Sequence, residues 1–460
     1  MNCFYDINPT NAEILKEFTS SDTQDVSSKV ALAKTAFENW RQIGTDERIQ
    51  KLYEVHKLIE QYRDDFVELL VKEVGKPVHE AGHEVTCALN DMRWYLEHAK
   101  EYLKDTLLEI DDSKKDLLVR EPWGVVAAIA PFNVPLEISI WGVIPSLLAG
   151  NTVVYKPSEY TSQVGELLNR CFVEAGMDEG VFNIIYGAGD VGKMLVDSDV
   201  DFVWFTGSTA VGQEIYSTCG KKFINSVMEL GGCNATIVLE DATVDEQLIS
   251  NICIGRFFNC GQICSAIKRV FVHRSIYENF RQLLIDKVSS LVVGDPMNEA
   301  TEIGPMVSDK QRIKVSKQVQ DAVDKGAKVE CGGEMTDGDT KGYYYLPTVL
   351  TGITSEMSVA REEVFGPVLP IIVFDDEDEA IELINDTDYG LSSEIYTNDI
   401  SKAEELARKI QAGRVAVNMP RFASLDCPMG GYKKSGKGRE HGKWIFEEMT
   451  QLKHIMIKRQ

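Results

Sequence analysis

Short apolar strands alternating with helices from Trp123 to Phe205 predict an α/β fold, with a parallel sheet covered on both faces. A second α/β run begins near Ala235–Leu239 and continues past Val415–Val417. The length of 460 residues allows two or three domains, each with its own core.

Taken in order, the stretch from Asp25 to Ala99 has helical periodicity, with Val30, Ala33, Phe37 and Trp40 spaced as one apolar face. A charged break at Asp111–Asp116 precedes a β-like run over Leu117–Arg120. Gly124–Ala130 reads as a buried strand, Leu136–Leu148 as a helix and Asn151–Tyr155 as the next strand. Thr161–Glu174 is then helical, and Phe182–Tyr186 and Asp201–Phe205 are strands, the latter running into Thr206-Gly207-Ser208. Gly430–Gly438 reads as a loop, and His454–Ile457 is strand-like.

The formal charge of −24 argues against nucleic acid or an anionic membrane as partner, since both need clustered cationic surface. The N-terminus shows no basic region followed by an apolar run, and stretches such as Val125–Ala130 are too short to span a bilayer. Ten cysteines without pairing rhythm predict reduced thiols and a cytoplasmic setting.

Cys264, in Phe258-Asn-Cys-Gly-Gln-Ile-Cys264-Ser265, and Glu229, in Met228-Glu-Leu-Gly-Gly232, carry the chemistry. A thiol nucleophile and a carboxylate base are the parts needed to build a thioester and then hydrolyse it. Gly261-Gln262 suggests a sharp approach that exposes the Cys264 sulfur, and Cys260 reads as packing, with reversible disulfide formation the alternative. Asn133, on the proline-flanked turn Ala130–Pro135, can donate to a developing oxyanion, or simply stabilise the turn.

Two segments compete for a nucleotide. Gly187-Ala-Gly-Asp-Val-Gly192 satisfies G-x-G-x-x-G, but no acidic residue ends a following strand at the right distance for a ribose, so it reads as a tight strand-to-helix turn. Phe205-Thr-Gly207-Ser208-Thr-Ala-Val-Gly212 leaves a strand and opens a helix, offering backbone N–H groups and hydroxyls to an anion. Glu159, after the strand Thr152–Tyr155, can accept from both hydroxyls of an adenosine ribose. A third pattern, His79-Glu80-Ala-Gly82-His83, matches H-E-x-x-H, with Glu97 and His98 as further ligand candidates. Gly82 weakens the helix that must align the ligands, and the segment reads as a solvated helix start, so no metal is expected.

Together these pieces resemble the aldehyde dehydrogenase superfamily from about Thr35 onward. The matching motifs are PFN (Pro131–Asn133), KPSE (Lys156–Glu159), FTGST (Phe205–Thr209), MELGG (Met228–Gly232), GQxC (Gly261–Cys264), EEVFGPV (Glu362–Val368), Asn418 and SGKGRE (Ser435–Glu440). The resemblance implies a doubly wound NAD-binding domain (1–103 with 123–231), an α/β catalytic domain (232–432) and a small β oligomerisation flap (104–122 with 445–460), assembling as a homodimer or homotetramer. It implies that Cys264 attacks the aldehyde, that Asn133 and the Cys264 N–H hold the oxyanion, and that Glu229 activates water. Lys156, Glu159, Phe205, Gly207 and Ser208 would bind the adenosine and pyrophosphate side of NAD, and Glu363 and Phe365 the nicotinamide side. A cationic cofactor and a helix N-terminus near Cys264 would lower its pKa.

Some positions depart from the family pattern: Phe132 stands where many members have Trp, Met429 where many have Phe, and Gly142 where many have Lys. The last puts in doubt a Lys-to-Glu440 proton relay. Glu159 would repel a 2′-phosphate, which favours NAD over NADP. The aldehyde tunnel would be lined by Glu137, Ile138, Trp141, Arg421 and Phe422. Arg421 suits an anionic tail, as in a semialdehyde, or is a surface residue at the rim, whereas Trp141 suits a small or apolar aldehyde. A CoA-acylating relative is disfavoured by the presence of Glu229.

Overall fold

The structure, a computed structural model, describes residues 2–108, 113–336, 341–420 and 424–458. Within them the stretch from 125 to 229 forms a parallel sheet in the order Phe182–Ile184, Thr152–Lys156, Val125–Ile129, Phe202–Thr206, Asn225–Glu229. A short antiparallel strand, Gly436–Lys437, closes its edge against Met228 and Glu229. Val125–Ile129, Thr152–Lys156 and Phe202–Thr206 are buried at every position. That is why they read as unbroken apolar runs rather than alternating ones.

The helices Thr23–Trp40, Thr45–Gln61, Arg63–Val74 and Val78–Tyr102 fill the stretch with helical periodicity. Asp22 caps the first through Gln24 and Asp25 amides, and Gly75 ends the third in the left-handed conformation, φ 83°. Val30, Ala33 and Trp40 are buried as the spacing requires. Phe37 is instead half-buried and carries the Arg41 guanidinium 5.2 Å from its ring. The Pro135–Leu148 helix begins one residue earlier than the sequence suggests, because Pro135 supplies a preset φ at its first turn.

A second sheet of seven strands runs Lys328–Cys331, Thr348–Thr351, Val368–Phe374, Arg269–His273, Ala235–Val238, Ser392–Tyr396, Arg414–Val417. Only its Lys328–Cys331 edge is antiparallel. A third sheet joins Thr106–Leu108, Lys114–Pro122 and Thr450–Lys458. The strand therefore starts at Lys114, inside the stretch expected to be a charged break, of which 111 and 112 lie outside the described residues. The chain after 432 also returns to the first sheet through Gly436–Lys437, so Gly430–Gly438 is not loop throughout. None of the described helices is long and apolar enough to cross a membrane, and none of the ten cysteines is in a disulfide.

Candidate active site

The first sheet opens a cleft of about 620 Å³ at the carboxyl ends of its strands. Its walls include Asn133, Lys156, Glu159, Phe205, Gly207, Ser208, Cys264, Glu363 and Phe365. These residues come from strand ends and the loops that follow, spanning 133 to 365, which parallel topology gathers at one edge. The strand order reverses direction at Val125–Ile129, with Thr152–Lys156 on one side and Phe202–Thr206 on the other, the position where such sheets take nucleotides.

On the Phe202–Thr206 side, Ser208 is the N-cap of the Thr209–Lys222 helix, and its hydroxyl makes no cap hydrogen bond. The first-turn amides and that hydroxyl can therefore receive an anion. Gly207 packs against the Phe205 ring, where a Cβ would come within 2.5 Å. On the Thr152–Lys156 side, Lys156 is buried and donates to the Pro157 carbonyl at 2.8 Å. Burial pulls its pKa down, against Glu159 and Asp190. Glu159 lines the same wall with no hydrogen bond among the described residues. Gly187–Gly192 also comes to this cleft: Gly189, Asp190 and Gly192 line it, and Gly187 takes φ 146° at the turn before the Gly189–Asp197 helix. An anion-receiving helix start and a strand-end carboxylate facing one cleft fit a dinucleotide.

Cys264 lies between the tight turn Phe258–Gly261 and the Arg269–His273 strand. Asn259, Cys260 and Gly261 are all left-handed, with φ of 52°, 53° and 71°. For the two non-glycine residues this costs about 1–2 kcal/mol each, so the surroundings must hold the turn. At Gly261 a Cβ would meet the Gly366 carbonyl oxygen at 2.4 Å. The Asn259 side chain donates to the Asn133 carbonyl at 2.8 Å, linking the two loops. Gln262 accepts from the Val307 amide at 3.0 Å. Cys264 itself is half-buried.

The protein's own groups act on the Cys264 thiol in the opposite sense to the cationic cofactor from which a lowering is expected. Burial first, then Glu363 and Glu229, push Cys264 up to about 11, and Lys268 opposes them. Nor does Cys264 sit at a helix start. Lys268 donates to the Ile263 carbonyl at 2.8 Å and lies 4.9 Å from the Phe365 ring centre. It places a buried cation beside the Cys264 loop, and only its position four residues after Cys264 hinted at this in the sequence.

Glu229 ends its strand buried, at 4% exposure, and its Oε1 has no hydrogen-bond partner among the described residues. It does not line the cleft, although its neighbours Leu230 and Gly231 do. Burial first and then Glu440 raise its pKa well above the usual carboxylate range, with Arg439 and Arg414 opposing. Glu363 accepts from the Gly232 amide at 3.2 Å and is likewise raised by burial. Glu440 is pushed up to about 8 by burial, and Trp204 donates to its Oε1 at 2.6 Å.

Trp141 and Ile138 lie in the core on the Pro135–Leu148 helix, away from the nucleotide cleft. The Trp141 indole N–H donates to Asp91 at 2.6 Å, and its ring packs edge-on against His441. Arg421 and Phe422 lie outside the described residues.

The H-E-x-x-H stretch divides between two faces of its helix. His79 and His83 are exposed, whereas Glu80 is buried and accepts from the Asn259 amide. The expected solvated helix start is thus solvated on one side only, and the motif's residues do not converge. Among the described residues no group of three His, Cys, Asp or Glu side chains could hold a metal.

Comparison with known proteins gives one family. The model described as "Aldehyde dehydrogenase family" matches residues 2–455. The chain is 38% identical over 448 residues to a 3-sulfolactaldehyde dehydrogenase of Priestia megaterium, covering 96% of this chain and 92% of the relative. A NAD+ complex of an aldehyde dehydrogenase from Bacillus cereus superposes with a TM-score of 0.96 at 34% identity, over 100% of this chain and 94% of that one. An NADP-dependent enzyme from E. coli matches with the same TM-score of 0.96 at 30% identity, covering 100% and 95%.

Proposed function

Because this chain belongs to the aldehyde dehydrogenase family, we propose that it oxidises an aldehyde to its carboxylic acid with NAD, through a thioester on Cys264 that water hydrolyses. One observation carries this reading: Cys264 and Asn133 open onto the same cleft as the anion-receiving Ser208 turn and Glu159. Catalysis would run as follows. The Cys264 thiol loses its proton to solvent, the resulting thiolate sulfur bonds to the aldehyde carbon, and the carbonyl oxygen becomes an oxyanion received by the Asn133 side-chain amide and the Cys264 backbone N–H. When bound, the nicotinamide is the hydride acceptor. Glu363 and Phe365 line the wall that would orient it, and Lys156, Glu159, Phe205, Gly207 and Ser208 would hold the rest of the dinucleotide.

Glu229 then takes a proton from water, whose oxygen attacks the thioester carbon; the C–S bond breaks and the acid leaves. Burial raises the pKa of Glu229 above the usual carboxylate range, which makes it a stronger proton acceptor than an exposed carboxylate. The Trp204–Glu440 hydrogen bond occupies the space beside Gly142 and supports the absence of a lysine relay there.

For substrate we propose a small aldehyde or semialdehyde, with Trp141, Ile138, Arg421 and Phe422 as candidate contacts. Glu159 supports NAD over NADP. We further propose that the sheet of Thr106–Leu108, Lys114–Pro122 and Thr450–Lys458 joins two or four copies, since Leu107, Leu452, Met456 and Ile457 are exposed on it. Absence of disulfides supports a cytoplasmic setting.

The test is absorbance at 340 nm with NAD and a panel of neutral and anionic short aldehydes, with and without CoA. NADH formed without CoA supports the hydrolytic reading. An absolute need for CoA would make the enzyme acylating, and chelator-sensitive hydrolysis without NADH would point instead to a zinc hydrolase built on the H-E-x-x-H stretch of His79, Glu80 and His83.

A further inference from the structure

We propose that Glu80 and Glu84 are positioning residues for the oxyanion site, holding the Asn133 loop and the Cys264 loop in register from one face of a single helix. The inference rests on the function proposed above for Asn133 and Cys264.

Four residues apart on the Val78–Tyr102 helix, the two side chains point the same way and are 4% and 2% exposed. Glu80 accepts the Asn259 backbone N–H at 2.8 Å. Glu84 accepts the Leu136 backbone N–H at 2.9 Å through Oε1, and its Oε2 pairs with the buried Lys76 ammonium. Asn259 begins the left-handed turn that leads to Cys264, and Leu136 follows Asn133 by three residues. The third side of the triangle is the Asn259 side chain, which donates to the Asn133 carbonyl. The two loops are thus each tied to the helix and also tied to each other.

This geometry gives the glutamate of H-E-x-x-H a use that involves no metal. A buried carboxyl is costly unless paired or neutral. Glu84 is paired, and burial pushes Glu80 up to about 8, against Lys76 and the Asn259 amide. At neutral pH Glu80 therefore serves chiefly as a neutral acceptor, a role glutamine can fill. A displacement of about 1 Å between nucleophile and oxyanion donor is enough to cost about 100-fold in rate.

The test compares Glu80→Ala with Glu80→Gln in the full chain. In Glu80→Ala the single-turnover burst of NADH should fall by about 10-fold or more, while the NAD Kd and the rate of Cys264 alkylation by iodoacetamide stay within about threefold. Glu80→Gln should recover most of the burst. Hydrogen exchange supplies a readout independent of turnover: the Asn259 amide should lose protection in Glu80→Ala and keep it in Glu80→Gln. If Glu80→Ala does not fold, Glu80→Asp, which keeps a carboxyl but withdraws the acceptor from the Asn259 backbone N–H, should show the same burst loss with unchanged NAD affinity. A burst within about twofold of wild type in either variant, or Glu80→Gln failing as badly as Glu80→Ala, would overturn the positioning role. A wild-type enzyme that oxidises no aldehyde would sink the proposed function alone, because exchange at Asn259 still reports the clamp.

Discussion

Trp204 donates its indole N–H to Glu440 at 2.6 Å across 236 residues of sequence, and the face of the same ring rests on Gly142. A Cβ at position 142 would come within 2.2 Å of that ring. Gly142→Ala should therefore displace Trp204 and destabilise the protein by about 1–3 kcal/mol, the usual cost of overfilling a packed core. Thermal unfolding measures the loss, and an unchanged midpoint would refute the contact.

Glu440 also acts on Glu229. Its charge is one of the causes that raise the Glu229 pKa, second only to burial. Removing it in Glu440→Gln should lower the Glu229 pKa, and the base is active when deprotonated. The ascending limb of kcat against pH should then move to lower pH. A limb that stays in place would remove Glu440 from the environment of the base.

Stability carries the same signature. The pKa of Glu440 is raised from 4.5 to about 8 in the fold, so the folded state holds a proton that the unfolded chain releases between those values. Its contribution is fully present below pH 4.5 and is lost as pH rises through about 8. In wild type, denaturant midpoints should fall over that window, and Glu440→Gln should flatten the fall.

The two halves of the chemistry separate by mutation. Cys264→Ala should reduce aldehyde oxidation by more than about 10⁴-fold, as loss of a covalent nucleophile does. Glu229→Gln should still release one NADH per site in a burst and then stall, with steady-state turnover down by about 10²- to 10⁴-fold. Mass spectrometry of the stalled enzyme should find the acyl group on Cys264. A normal steady rate in Glu229→Gln would assign the base elsewhere.

Much of this site was legible because its parts are local. The strands Val125–Ile129, Thr152–Lys156 and Phe202–Thr206 are covered on both faces and so read as apolar runs, and the residues at their ends follow from the βαβ rhythm. Glu80 was not legible. An alternation of His79, Glu80 and His83 looks polar all round, and only the tertiary partner Asn259, 179 residues away, explains a carboxyl facing inward. The Cys264 pKa escaped for the same reason, since burial and the approach of Glu363 and Glu229 come from packing rather than from neighbours in sequence. Phe37 kept the helical spacing but is only half-buried, with the Arg41 guanidinium over its ring.

Cofactor choice gives the remaining prediction. Glu159 stands at the end of the Thr152–Lys156 strand, in the cleft wall, with its carboxylate unbonded among the described residues and Lys156 as its nearby countercharge. A 2′-phosphate placed on the ribose it would hold brings a dianion against a carboxylate, and like charges juxtaposed in a site cost several kcal/mol. Glu159→Gln keeps the side chain's length and removes the charge while leaving Lys156 to attract phosphate. The ratio of kcat/KM for NADP over NAD should rise by about 10- to 100-fold, mainly through a lower KM for NADP. The gain should shrink at high salt, because the term being removed is electrostatic. If wild type already prefers NADP, or the ratio does not move in Glu159→Gln, then Glu159 swings clear of the ribose and the choice is made by other residues of the cleft.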